Sequence, residues 1–262
     1  ARRDSQELPL QLMLARLYRI TQGWASREVE QVVNRAAFLS EKVGDQHQRL
    51  HTLYALETLY VVGARYDDAE RVYTQIEKLF METQHTPPPE FAGSNVAGAR
   101  LSMGKPTEAR DWFDRIIAIR DDAFIRDVEE MIGYNYLVVC LAWSAQAVWS
   151  LGYPDAALKR AHAAIELAEE FVQPFNRAIA ITYHSLLSEW CLEPEVFAAH
   201  ALEAYRHPSE FHSPYYAAWA NILVQFANSE QQPPADSVER LRDALDEFLE
   251  TGGRVRLPYY LS

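Results

Sequence analysis

The sequence has little cysteine and no long apolar run. Only two of the 262 residues are cysteines, Cys140 and Cys191, and both lie in apolar stretches with helical spacing. They are small buried side chains rather than parts of a disulfide framework, which fits a reducing compartment. No segment approaches the ~18 uninterrupted apolar residues of a membrane span, and the first residues do not form a secretory signal. We therefore expect a cytoplasmic location and no membrane contact.

Basic residues are also scarce relative to acidic ones. The chain has 25 Lys and Arg against 37 Asp and Glu, a net charge of −12, and its basic residues are scattered. A nucleic-acid-binding domain usually shows a clustered basic patch, so we expect no DNA or RNA contact. The acidic surface is most simply a solubilising one, and it could also favour a basic or neutral partner.

Recognisable catalytic motifs are missing as well. The chain contains neither a Gly-x-x-x-x-Gly-Lys-Ser/Thr phosphate loop nor a Gly-x-Ser-x-Gly nucleophile elbow. His47 and His51 would share a helical face, but a zinc protease needs Glu after the first histidine and Gln48 stands there. His207 and His212 flank a short segment that lacks further metal ligands. We expect a chain that is not an enzyme and holds no cofactor or metal.

What the chain does contain is a helix-turn-helix unit, clearest at residues 144–170. Gly152 can end the first helix in a left-handed conformation, Pro154 suits the first turn of the second helix, and Asp155 complements the dipole of that helix. A stripe of small residues follows at spacings of four, three and four: Ala157, Ala161, Ala164 and Ala168. Such a stripe allows another helix to approach closely, so the unit predicts a helical hairpin.

The same unit recurs along the whole chain. Copies are anchored at Glu28, Ala69, Ala109, Ala157, Phe197 and Ser237, at intervals of 40 to 48 residues. A near-constant period predicts an all-α solenoid of about six helical hairpins, which we interpret as one repeat domain over residues 1–262. The long interval indicates an insertion at 121–133, expected to lengthen the helix that runs to Ser150. Residues 207–214 are expected to form a loop, and 254–262 to open one more first helix.

The pattern of Gly152, Pro154 and the alanine stripe resembles the second half of a tetratricopeptide repeat. More narrowly, the chain resembles the C-terminal repeat region of large bacterial signalling ATPases of the STAND type, often described as adenylate or guanylate cyclases. The segments that carry this resemblance are 23–30, 139–157, 173–175 and 251–261. It implies a right-handed α-α superhelix, and a fragment of a multidomain protein that serves as its sensor or scaffold.

The resemblance also implies that the first helix of each hairpin lines a concave groove. Aligning the hairpins then selects groove candidates, namely His51, Tyr54, Gln146, Trp149, Thr182, Glu189, Trp219 and Phe226. Aromatic side chains with polar neighbours are common at binding surfaces. The other interpretation of each aromatic is packing between hairpins, because aromatics at helical spacing are usually core residues.

Two functions remain open at this point. One is a protein- or peptide-binding scaffold whose partner could be another domain of the parent protein. The other is a small-molecule sensor that uses the aromatic groove for a sugar or a flat metabolite. An uncapped apolar helix at 257–261 could in addition pair with a second copy of the chain, because repeat arrays need capping at their ends.

Overall fold

The computed structural model describes residues 2–83, 93–119, 122–170, 174–192, 194–210, 212–231 and 236–261. These parts of the chain form fourteen α-helices and no strand. The helices are α1 Arg2–Thr21, α2 Arg27–Val43, α3 Gln46–Val62, α4 Tyr66–Thr83, α5 Gly93–Ser102, α6 Pro106–Ile117, α7 Asp122–Ile132, α8 Tyr136–Ser150, α9 Pro154–Glu170, α10 Pro174–Cys191, α11 Pro194–Glu210, α12 Pro214–Gln231, α13 Ser237–Glu250 and α14 Leu257–Tyr260.

The six predicted hairpins are all formed, by α1 with α2, α3 with α4, α5 with α6, α8 with α9, α10 with α11, and α12 with α13, and neighbouring hairpins pack on one another within each unit. Local signals set where these helices begin. The Ser26 side chain accepts a hydrogen bond from the Val29 N–H at the start of α2. Asp45 and Gln48 form a reciprocal capping box at the start of α3. The predicted all-α arrangement of six hairpins is confirmed.

The α8–α9 hairpin shows how the repeat unit folds. Gly152 has φ of +89°, which only glycine adopts without strain, and it separates the two helices. The predicted stripe on α9 is buried at all four positions: Ala157, Ala161, Ala164 and Ala168. Ala157 and Ala161 pack against Ala145, Val148 and Leu187. Small side chains on α9 therefore let neighbouring helices approach closely.

The chain forms two compact units. Unit 1 comprises Ala1–Gly133 and Gly252–Ser262, and unit 2 comprises Tyr134–Thr251. The main core of unit 1 joins α1 to α5 through apolar residues that include Val29, Val33, Ala55, Ile76 and Val96. A core of unit 2 joins α10, α11 and α12 through Ile181, Ala204 and Ala220.

Two predicted segments differ from the structure. Residues 121–133 do not extend the following helix, since α7 is a helix of its own that ends at Gly133 with φ of +88°. Asn135 then starts α8 by accepting a hydrogen bond from the Leu137 N–H. The expected loop at 207–214 is also wrong, because α11 continues to Glu210. His207 is held in that helix by its Nε2, 2.9 Å from the Pro174 carbonyl oxygen.

The end of the chain belongs to unit 1. The backbone N–H groups of Arg254 and Val255 both donate to the Val62 carbonyl, at 2.9 and 3.2 Å. The expected additional first helix is only the four-residue α14, because the Arg254 and Val255 amides just before it are bound to Val62 and not to a helix of their own. Across the described residues, no single helix is long and apolar enough to cross a membrane. The helices α7 and α8 reach the required length and apolar composition only when they are counted together as a broken pair.

Candidate functional site

A pocket of unit 1 lies among α1, α3, α4 and α7 and has a volume of about 1020 Å³. We call it the α1 pocket. Its lining is mainly apolar with a polar minority: Pro9, Leu12, Met13, Arg16, Leu17, Ile20, Gln46, His47, Gln48, Leu50, His51, Leu79, Phe80, Asp127, Val128, Glu130 and Met131. Apolar walls with a few polar groups are the usual composition of a ligand site.

One wall of the pocket is an apolar face of α1 that the described helices leave exposed. Leu8 and Leu12 of α1 pack inside the unit against α2. Met13 and Leu17 belong to the pocket wall, yet their side chains are 70% and 52% exposed. Large apolar side chains exposed next to one another indicate a surface that something else covers. This helix is apolar on more than one side, so one face serves the core and another faces the pocket.

His51 is the most unusual polar group in the pocket. Its ring is partly buried, and its Nε2 is shielded from solvent without a hydrogen-bond partner. Burial, followed by the nearby Arg19, His47 and Arg16 side chains, lowers the His51 pKa to about 3. The imidazole is therefore neutral at neutral pH and has an unused ring nitrogen.

Part of the pocket lining is supplied by α7. Asp127 and Glu130 are exposed on this helix, whereas Val128 and Met131 turn inward. The Arg16 guanidinium donates a 2.8 Å hydrogen bond to the Glu130 backbone carbonyl. This bond connects α1 to α7 across the edge of the pocket.

A second polar cluster of unit 1 is completely buried between α3 and α5. Asn95 Nδ2 donates to Glu57 Oε2 at 3.1 Å and to Thr58 Oγ1 at 3.0 Å, while Glu57 Oε1 has no partner. Burial raises the pKa of the Glu57 carboxyl well above its usual value, and the bond from Asn95 only partly opposes this. With no accessible surface, this cluster orders the helices rather than binding a ligand.

In unit 2, three histidines from successive helices lie side by side. The His162 and His184 rings are 5.1 Å apart, the His184 and His200 rings are 4.6 Å apart, and His200 Nδ1 is 2.8 Å from Ser188 Oγ. Burial, then His200 and His162, lowers the pKa of His184 to about 4. Nowhere in the described chain do three or more His, Cys, Asp or Glu side chains have an arrangement that could hold a metal ion.

The residues predicted for the groove have different surroundings. His51 lines the α1 pocket, and Tyr54 on the same helix is buried, with 2% of its surface exposed. In unit 2 a first group is buried in the interior, consisting of Gln146, Thr182 and Trp219. A second group is partly buried and consists of Trp149, Glu189 and Phe226.

The aromatic members of this set contact other aromatic rings. Trp149 lies 4.6 Å from Trp190, and Trp219 lies 4.6 Å edge-on from Tyr183. Phe226 lies 6.3 Å from Phe197. These contacts favour the packing interpretation of the aromatics.

Sequence reasoning missed the α1 pocket except for His51. The signal that could have indicated it is the apolar composition of residues 8–20. This stretch contains more apolar residues than a helix with a single buried face requires. The contribution of α7 had no comparable signal, because the pairing of α7 with α1 joins residues more than 100 positions apart.

Comparisons with known proteins bear on the fold. No family model matches the chain, and no curated protein matches its sequence. Fourteen chains among solved structures do match, and one of them is the crystal structure of NprR in complex with its cognate peptide NprX. It is 13% identical with a TM-score of 0.59, over 98% of this chain and 71% of that chain. The chain therefore has an all-helical, tetratricopeptide-like repeat fold.

Proposed function

We propose that this chain is a non-catalytic binding domain with a regulatory role, and that a peptide or a peptide segment of a protein partner binds in the α1 pocket. The observation that carries this proposal is the uncovered apolar face of α1, with Met13 and Leu17 exposed beside a pocket of about 1020 Å³. Helix faces that present apolar side chains to a cleft are a recurring way of binding peptide segments. That NprR was solved with a peptide supports the same class of ligand.

The sequence resemblance supports a proposal for the larger protein in which this domain would act. A repeat domain of this kind would act as the sensor or scaffold region of a cytoplasmic bacterial signalling ATPase or cyclase, and its peptide partner could be a segment of that parent protein. Pairing of two copies through residues 257–261 stays a separate prediction. Contact with nucleic acid is not part of the proposal, because the chain carries a net charge of −12.

A small-molecule ligand is the second candidate. The volume of the α1 pocket, about 1020 Å³, lies at the upper end of the range typical of small-molecule sites. The aromatic groove residues no longer support this candidate strongly, because Tyr54 and Trp219 are buried. A small molecule would instead bind to the same apolar wall of α1.

Selection from a displayed peptide library, followed by calorimetric titration of the selected peptides, tests the proposal. Met13→Glu places a charge on the apolar wall and should lower the affinity at least roughly tenfold, since burying an unpaired carboxylate is costly. Met81→Glu is the matched control, because Met81 is 81% exposed and lies outside the pocket. A thermal-shift screen of metabolites runs in parallel, and a metabolite that stabilises the wild type but not Met13→Glu would favour the second candidate.

A further inference from the structure

The charges around His51 differ from those that α7 contributes to the α1 pocket. Two guanidinium groups of α1 act on His51, those of Arg19 and Arg16, and His47 from its own helix acts in the same direction. No acidic side chain contributes to the shift of its pKa, and α4 offers only Leu79 and Phe80 to the pocket. The potential at the unused His51 Nε2 is therefore positive.

The α7 wall has the opposite sign. Asp127 and Glu130 both line the pocket and both are exposed, whereas α7 places no basic side chain in the lining. Arg16 donates to the Glu130 backbone carbonyl on this helix rather than to an acidic side chain of it. The lining of the α1 pocket thus combines guanidinium groups near His51, acidic side chains on α7, and the apolar side chains of α1.

We propose, resting on the proposed function, that the α1 pocket takes the carboxyl-terminal end of a peptide. The free carboxylate accepts a hydrogen bond from His51 Nε2. Apolar side chains of the peptide cover Met13 and Leu17, and a basic side chain or amino group faces Asp127 and Glu130.

Each part of this ligand complements a feature of the pocket. A hydrogen bond between an imidazole N–H and a carboxylate satisfies the shielded Nε2 and is stronger than a bond to a neutral acceptor. The Arg16 and Arg19 guanidinium groups near His51 favour a negative charge there and oppose an amine. A fatty acid shares the carboxylate and the apolar chain but has nothing to pair with the acidic wall, so the peptide fits better.

Carboxylate binding should also change the ionisation of His51. An anion at Nε2 favours the protonated ring and raises the His51 pKa from about 3. Nuclear magnetic resonance of the histidine side chains detects this as an upward shift in the titration of one ring, and His51→Gln identifies that ring by removing its signal. A peptide that binds elsewhere would leave the titration unchanged.

The experiment compares peptides with free and blocked carboxyl ends. Peptides are selected from a library displayed with free C-termini, then synthesised both as acids and as C-terminal amides, and titrated calorimetrically against the full chain. We expect each acid to bind roughly tenfold or more tightly than its amide, as a charge-assisted hydrogen bond implies. His51→Leu should reduce that ratio to about one, and His51→Gln, which keeps a side-chain N–H donor, should retain part of it. His162→Gln in unit 2 is the control and should leave the ratio unchanged.

The outcomes separate this inference from the proposed function. Acids and amides that bind equally well, with Met13→Glu still weakening both, would overturn the carboxylate inference and leave peptide binding standing. Binding of decanoate without any selected peptide would overturn both the peptide ligand and the role of the acidic wall. Selected peptides that lack basic residues and are insensitive to Asp127→Asn would overturn the role of the acidic wall. A chain that binds none of these probes contradicts both proposals.

Discussion

Glu57 is a carboxyl group with no exposed surface and no ionic partner, held by a single amide donor from Asn95. Burial raises its pKa well above the usual value of 4.5, so the folded protein keeps this carboxyl protonated at pH values where the unfolded chain has lost the proton. Above pH 4.5 the folded state therefore binds more protons than the unfolded state. The contribution of Glu57 to stability falls as the pH rises.

Glu57→Gln should stabilise the protein at neutral and alkaline pH. Glutamine keeps the shape and the acceptor oxygen for Asn95 but has no proton to lose. We expect a gain in the free energy of unfolding on the order of 1 kcal/mol at pH 7, small at pH 5 and larger at pH 8, measured by urea denaturation across this range. Glu41→Gln is the control, because Glu41 is exposed. Equal effects of the two substitutions, or a gain that does not grow with pH, would contradict this account of Glu57.

At the scale of the helix, the small-residue stripe of α9 sets how closely its neighbours approach. Ala161 is buried in the hairpin core with Ala145, Val148 and Leu187. Ala161→Leu should lower the free energy of unfolding by roughly 1–3 kcal/mol, because an interior without space must shift to accept three more carbons. Ala156→Leu on the exposed face of the same helix should change it by less than about 0.5 kcal/mol. Thermal and urea unfolding of both variants measure the difference, and similar losses would show that the stripe does not determine packing.

Helices were predictable from the sequence wherever their signals were local. Gly152 and Pro154 mark a turn, and the alanines of α9 repeat with helical period, so this hairpin and its buried stripe follow from short stretches of chain. The separate helix α7 was missed because Gly133 sits within an apolar stretch that reads as one long helix.

The candidate site was less accessible to sequence reasoning than the fold. Periodicity places Tyr54 and Trp219 on the first helices, but it does not distinguish a groove from an interface between helices, and both are buried. The α1 pocket depends on α7 lying against α1, which is a tertiary contact with no signal in either stretch alone. Only His51 belonged to both the predicted set and the pocket.

At the scale of the whole molecule, the chain divides into two compact units, and its last residues belong to the first of them. Gly252 is central to that arrangement, because a Cβ at this position would lie 1.8 Å from the Ala25 carbonyl oxygen while φ is +81°. Gly252→Ala should therefore destabilise unit 1 by several kcal/mol or release residues 252–261 from it. Gly104→Ala is the matched control with φ of +76° and no atom near the added Cβ, and should cost only about 1 kcal/mol.

Hydrogen exchange distinguishes these two results for Gly252→Ala. Loss of protection at the Arg254 and Val255 amides, which donate to Val62 in the native protein, would show release of the segment. Equal effects of Gly252→Ala and Gly104→Ala would contradict the close contact with Ala25.

The central claim is that the uncovered face of α1 binds a peptide, and calorimetric titration of library-selected peptides against wild type, Met13→Glu and Met81→Glu tests it most directly. The account predicts saturable one-to-one binding to the wild type, unchanged affinity for Met81→Glu, and a loss of roughly tenfold or more for Met13→Glu with its fold intact by circular dichroism. Peptides that bind all three proteins with equal affinity would contradict it, as would a library from which no binding peptide can be selected.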